Sequence, residues 1–157
     1  MDNVSGTGTG CGGKAGRKAD VGRRIDFGPA PFVVNVNQAA RENNNFRRAL
    51  WTGTHLQMTL MSIPPGGDIG VERHPQLDQM IRVEEGQGRV MMGRSRENWE
   101  LQRMVGPGCS IFIPAGAWHN LVNTESRPLK LSSVYAPPEH PWGTVHKTQE
   151  EAMEHEH

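Results

Sequence analysis

Residues 108–123 read GCSIFIPAGAWHNLVN. Two apolar runs, Ser110–Ile113 and Trp118–Val122, flank the tripeptide Pro114-Ala115-Gly116. Proline fixes φ and lacks a backbone donor, and glycine accepts a left-handed conformation, so together they mark a sharp turn between two short strands. His119 stands just past that turn, at the start of the second strand. Whether it is an ordinary strand histidine or one part of a site depends on what the rest of the chain brings to it.

The neighbouring stretches have the same construction. HLQMTLMSI (55–63) ends in PPGG, QMIRVEEGQGRVMMG (79–93) holds two apolar-rich runs around a Gly-containing turn, and LKLSSVYAPP (129–138) ends in prolines. Strands of this length, with turn signals about every ten residues, predict an all-β sandwich or barrel. Residues 25–145 are expected to form it as a single domain, with one or two helical turns at NQAARENNNF (37–46). In the closing stretch, 146–157, Thr148 precedes Glu151 by three residues. That is a capping-box spacing and predicts a short C-terminal helix. Its last histidines, His155 and His157, are expected to be exposed. Residues 1–24 are Gly-rich and basic with few apolar side chains, which predicts a flexible, disordered tail.

Composition excludes several classes of partner. The 157 residues carry 17 Lys plus Arg and 17 Asp plus Glu, a formal net charge of zero. Nothing in that balance points to nucleic acid. No apolar run nears the length of a membrane span, and the N-terminal residues lack the apolar middle of a secretory signal. The two cysteines, Cys11 and Cys109, do not make a disulfide framework, which favours a cytoplasmic protein with reduced thiols. Cys109 is expected to be a buried, inert thiol.

Residues 70–88, GVERHPQLDQMIRVEEGQG, supply candidate partners for His119. Glu72 and His74 are two apart, so on an extended strand they share a face. Pro75 holds His74 in an extended conformation. PQLD then makes a connection of hairpin length, with Gln79 opening the next strand. A hairpin that closes with His74 opposite Gln79 would bring three side chains together, and a fourth would come from a distant strand.

The two stretches together resemble the paired motifs of the cupin family. The first family motif runs Gly, five residues, His-x-His, three or four residues, Glu, six residues, Gly. Gly66 and Gly86 stand at its ends here, Glu72 falls on the first His, His74 on the second and Gln79 on the Glu. The second motif runs Gly, five residues, Pro-x-Gly, two residues, His, three residues, Asn, and Gly108, Pro114, Gly116, His119 and Asn123 match every position. The resemblance, over about residues 50–136, implies a double-stranded β-helix, or jelly-roll barrel, that assembles as a homodimer. It also implies one divalent metal ion (Fe, Mn, Zn or Ni) held by Glu72, His74, Gln79 and His119. Both replaced ligands can still donate an electron pair, and the set keeps one negative charge.

The resemblance leaves the activity open. Cupins include sugar isomerases and dioxygenases, so Lewis-acid chemistry on a small polar or anionic metabolite is one expectation. Non-catalytic binding of a sugar-like small molecule is the other. The remaining candidates have blander readings. His55 reads as an edge histidine, while Met58, Met80, Met91, Met92 and Trp118 read as core filler, some of it facing outward. Arg82 and Arg94 read as solvated strand-face residues, and His140 and His146, in a Pro-rich exit segment, receive no chemistry.

Overall fold

The computed structural model describes residues 26–155. The tail at residues 1–24, with Cys11, and the terminal His157 fall outside them. Nine strands form: β1 (Arg47–Thr52), β2 (Gln57–Ile63), β3 (Asp78–Glu85), β4 (Gly88–Gly93), β5 (Leu101–Val105), β6 (Ser110–Ile113), β7 (Trp118–Asn123), β8 (Leu129–Ala136) and β9 (Val145–His146). Two short helices among the described residues flank them, α1 (Val36–Glu42) and α2 (Gln149–His155). Six strands pair in the order β6-β3-β8-β2-β1-β9 and three in the order β5-β4-β7, and all of these pairings are antiparallel. This is the jelly roll that the motifs implied.

The period of two in the sequence explains which side chains meet. On β8, Leu129 and Leu131 point into a core with Ile63 and Met61 of β2, Ile81 and Val83 of β3, and Leu121 of β7. The alternate residues Lys130 and Ser132 are buried as well, because α1 and its flanking loop cover the outer face. Lys130 Nζ donates to the carbonyl of Asn43, and Glu84 accepts from Ser132 Oγ at 3.2 Å and from Asn37 Nδ2 at 3.1 Å. A second apolar group, Ala40, Leu50 and Leu60, packs there with Phe27 and Val34. Covering both faces is why β2 buries Gln57 and Thr59 as well as Leu60, Met61 and Ile63.

The connection between β2 and β3 positions the site. Residues 66–74 do not pair with β3. They run antiparallel to β7, through isolated bridges Asp68 to Val122 and Glu72 to His119. The expected hairpin between residues 70–74 and the strand after them is therefore not formed. β3 pairs with β6 and β8, and Gln79 lies opposite Ile113 and Tyr135, not His74. The turn that begins at Pro75 carries the chain from one sheet to the other, which a local reading of strand-turn-strand could not distinguish from a hairpin.

Two further details correct or confirm the sequence reading. Cys109 is exposed, because it lies in the turn before β6, where its N–H donates to Gly106 O and its carbonyl accepts from Val83 N. The C-terminal helix starts as its spacing predicted. Thr148 Oγ1 accepts from Glu151 N at 3.2 Å, and Glu151 Oε2 accepts from Lys147 N at 3.1 Å. Among the described residues no helix is long and apolar enough to cross a membrane.

Candidate metal centre

Glu72 and His119 exchange both backbone hydrogen bonds, each 3.0 Å long. Their side chains therefore leave the two strands side by side on one face. His74 comes from the same connecting segment, and its carbonyl accepts from Gly116 N at 2.9 Å. That bond ties the first motif to the Pro114-x-Gly116 turn of the second. Gly116 has φ +87°, a conformation that a side chain at that position would strain.

The result is a close group of donors. Glu72 Oε1 lies 3.5 Å from His119 Nε2 and 3.6 Å from His74 Nε2. The two imidazole rings stand 5.6 Å apart at a 48° tilt. One ligand atom from each of the three residues lies within 4.8 Å of the other two. Donors around a single ion at about 2.1 Å, at angles between square and tetrahedral, would be roughly 3.0–3.4 Å apart. The two spacings from Glu72 are only slightly wider than that.

The surroundings orient these donors. His119 Nδ1 lies 3.0 Å from Ala117 O, which fixes the proton on Nδ1 and leaves the Nε2 lone pair facing Glu72. His74 Nδ1 lies 3.5 Å from a carboxylate oxygen of Glu139. Gln79 is buried at 5 % exposure, and its Nε2 donates to Ser133 Oγ at 2.9 Å. Its Oε1 is buried with no hydrogen-bond partner, as are His74 Nε2 and His119 Nε2. Buried polar atoms are rarely left so. Three such atoms on residues of the two motifs, beside a carboxylate, fit the coordination of a cation.

Electrostatics agree with that fit. Burial alone would raise the Glu72 carboxyl, but the His119 and His74 imidazoles pull it well below the usual carboxylate range. Burial works against protonation of His74, yet the Glu72 and Glu139 carboxylates outweigh it and push that imidazole up.

Several residues missed at the sequence level crowd around this centre. The Tyr135 ring stands edge-on to His74 at 5.9 Å and to His140 at 5.2 Å. Gln57, fully buried, clamps the segment after β8, because its Oε1 accepts from Glu139 N and His140 N and its Nε2 donates to His140 O. Arg47, also buried, places Nη1 3.3 Å from His146 Nδ1. His140 thus sits near the centre, with the His146 ring 6.4 Å from its own, although nothing in the local sequence marks either. The other candidates behave as read. His55 is exposed, Arg94 and Arg82 pair with Glu100 and Glu84 at 3.8 and 3.5 Å, and Met92 packs on the core. Trp118 is sandwiched by the Arg73 and Arg96 guanidiniums, at 5.3 and 5.4 Å.

A jelly roll with two histidines and a carboxylate grouped beside the Pro-x-Gly turn defines a class of small barrel with a potential metal site. Residues 59–135 match the cupin domain model. The chain is 56 % identical over 128 residues to the uncharacterized protein YrkC of Bacillus subtilis, covering 82 % of this chain and 69 % of that one. It is 37 % identical over 115 residues to the uncharacterized protein L612 of Acanthamoeba polyphaga mimivirus, covering 73 % and 70 %. The crystal structure of BH2720 from Bacillus halodurans is 58 % identical and superposes with a TM-score of 0.82, over 83 % of this chain and 98 % of that one. This chain belongs to the cupin family.

One consequence can be measured directly. Burial first, and the Arg47 charge second, push His140 down from 6.5 to about 3. Between those values the unfolded chain binds this proton more readily than the folded one, so stability is lost as pH falls through that window. His140→Gln should reduce the loss of unfolding free energy between pH 7 and 4.5 by roughly 2–3 kcal/mol. Urea denaturation of both proteins at the two pH values checks it, and equal losses would show that His140 is not held neutral in the fold.

Proposed function

We propose that the chain binds one divalent metal ion through Glu72, His74, His119 and the Oε1 of Gln79, and uses it to act on a small polar or anionic metabolite. The observation that carries this reading is the convergence of buried, unpartnered donor atoms on Glu72. When bound, such an ion supplies a Lewis acid that polarises a carbonyl or hydroxyl oxygen, as isomerase or dioxygenase chemistry requires. The protein's own part is to hold the donors in place. The Ala117 carbonyl sets the His119 tautomer, Ser133 sets the Gln79 amide, and the buried Tyr135 and half-buried His140 rings stand on the His74 side.

His119→Ala should cut the metal content of protein purified without a histidine tag by about tenfold or more, since it removes one of only two imidazoles. Elemental analysis of both proteins decides it, and unchanged content would remove His119 from the ligand set. Oxygen uptake with candidate substrates then separates a dioxygenase from an isomerase or a binder.

Gln79 sets the charge of the proposed centre. A divalent ion with Glu72 alone keeps a net charge of about plus one. Gln79→Glu would bring that to about zero, with tighter metal binding and weaker binding of anions. One charge at about 4 Å is worth roughly 4 kcal/mol at an effective dielectric near 20, so the effect survives heavy screening. Titrating small carboxylates and neutral sugars into both metal-loaded proteins tests this. Equal carboxylate affinity would leave Gln79 as a hydrogen-bonding wall.

We also infer a homodimer. β6 ends the six-stranded sheet, and Phe112 on it is 70 % exposed, in register with Met80 and Val134 on the same face. An apolar face beside an open edge is what a second copy would cover. Sedimentation at micromolar concentration should give a dimer that Phe112→Lys converts to monomer, and a monomeric wild type would end the proposal.

A further inference from the structure

Each imidazole of the centre has an oxygen acceptor behind it, and the two acceptors differ in charge. Behind His119 Nδ1 stands the neutral carbonyl of Ala117, at 3.0 Å and from the same turn. Behind His74 Nδ1 stands a carboxylate, Glu139 Oε1, at 3.5 Å and from the segment that follows β8. That segment is anchored to one buried polar network. Gln57 Oε1 accepts from Glu139 N at 3.2 Å and from His140 N at 2.9 Å, while Gln57 Nε2 donates to His140 O at 2.8 Å and to Thr52 Oγ1 at 2.9 Å. Thr52 Oγ1 donates in turn to Asp26 Oδ2 at 2.6 Å, and the same oxygen accepts from Gly143 N at 3.0 Å. Asp26 and Gln57 are both buried. The main chain that carries Glu139 is therefore held at both ends, and its side chain has only to span the remaining distance to His74.

We infer that Glu139 is the positioning residue of His74: its carboxylate accepts the Nδ1 proton, holds the ring in its orientation and leaves Nε2 as the donor to a cation. The inference rests on the metal reading of Glu72, His74 and His119 and goes beyond it, because it gives a role to a residue outside the donor set. Two carboxylates flank the His74 ring, Glu72 at 3.6 Å on the Nε2 side and Glu139 at 3.5 Å on the Nδ1 side. A neutral imidazole has one proton, and the hydrogen bond at one nitrogen decides the state of the other. With the proton on Nε2 the ring would face Glu72 with no electron pair to give. With the proton on Nδ1 it matches the arrangement that Ala117 imposes on His119. Glu72 is shared between both rings, so the carboxylate behind His74 tips the choice. A carboxylate behind a ligating imidazole also makes it a stronger base, so His74 is the better donor of the two histidines. An ion pair between loose surface side chains would do little of this. Here the His74 side chain is 12 % exposed, and the backbone under Glu139 is fixed in advance by Gln57.

The test has two readouts on the full-length protein, its Glu139→Ala variant and its Glu139→Gln variant. The first is the ¹⁵N spectrum of the histidine rings in metal-free protein at about pH 9, where a neutral ring reports its tautomer. Wild type and Glu139→Gln, which keeps an oxygen acceptor, should carry the His74 proton on Nδ1. Glu139→Ala should move it toward Nε2, with the His119 ring unchanged in all three. The second readout is zinc affinity by competition with a chelator. Glu139→Ala should weaken it by about 10–100-fold, and Glu139→Gln, which keeps the hydrogen bond but loses the charge, by less. A wild-type His74 with its proton on Nε2, or the same tautomer in wild type and Glu139→Ala, would overturn the inference, and so would equal zinc affinity in those two proteins. If the wild type binds no zinc, the metal reading falls, and the His74 tautomer alone decides whether Glu139 positions the ring.

Discussion

Two backbone hydrogen bonds, Glu72 N to His119 O and His119 N to Glu72 O, hold the centre together. They join segments 47 residues apart in the chain and fix the relative position of a carboxylate and an imidazole by main-chain geometry alone. Neighbouring bonds keep that pairing in register. Ile69 N donates to Leu121 O, and Asn123 N donates to Gly67 O, so the connecting segment lies along β7 over its whole length. At the end of β7, Asn123 spans the sheets, its Nδ2 donating to Ile63 O at 3.0 Å and to Arg127 O at 2.9 Å. The asparagine that ends the second motif thus ties β7 to the end of β2, where the connecting segment begins. A site built in this way needs no side-chain packing to aim its first two donors, which leaves the side chains free to be polar and buried.

That construction explains what could be read from the sequence and what could not. The Pro114-x-Gly116 turn and the spacing to His119 and Asn123 are local, and turn chemistry reports itself in residue type, so the second motif was legible. The strands of the six-stranded sheet were legible for the same reason, except the two-residue β9 and β1, whose RRALWT carries two arginines where alternation would seek apolar residues. Arg47 is buried there against His146 and the Phe46 ring, and a buried arginine looks like a surface one in sequence. The grouping of Glu72 with His74 was read correctly from a wrong partner. Residues two apart share a face whatever strand they pair with, so the inference survived although the pairing was to β7 rather than to β3. His140 and Tyr135 were invisible because their place depends on Gln57, a glutamine from a different strand whose three hydrogen bonds lock the exit segment.

Burying so many polar groups costs stability that the apolar core must offset. A buried amide or imidazole without a partner costs on the order of 1–3 kcal/mol, and the centre holds several. The core supplies the counterweight through Leu121, Leu129, Leu131, Ile63 and Val83, each with essentially no exposure. These residues fill the half of the barrel toward Gly86 and Asn123, while the polar residues occupy the half toward Gly116 and His140. The division follows from the strands themselves. Along β8, inward positions change from Leu129 and Leu131 to Ser133 and Tyr135, and along β3 they change from Val83 and Ile81 to Gln79. One end of the barrel gathers the apolar core and the other the polar groups of the candidate site.

Gln79 shows how closely the two ends are coupled. Its amide nitrogen is spent on Ser133 Oγ, and its amide oxygen is left buried without a hydrogen-bond partner. A carboxylate in the same place has no hydrogen to give, so Ser133 would have to donate instead, and both carboxylate oxygens would stay negative inside the barrel. The acid of the donor set stands instead at Glu72, where two imidazoles lie at nearly equal distances, 3.5 and 3.6 Å, and where the backbone already fixes its position. An anion is least costly to bury where polar partners surround it, and a neutral amide is the better neighbour for a serine beside Ile81 and Ile113. The distribution of charge in the two motifs thus follows from the neighbours that each strand provides: imidazoles around position 72, hydroxyl and hydrocarbon around position 79.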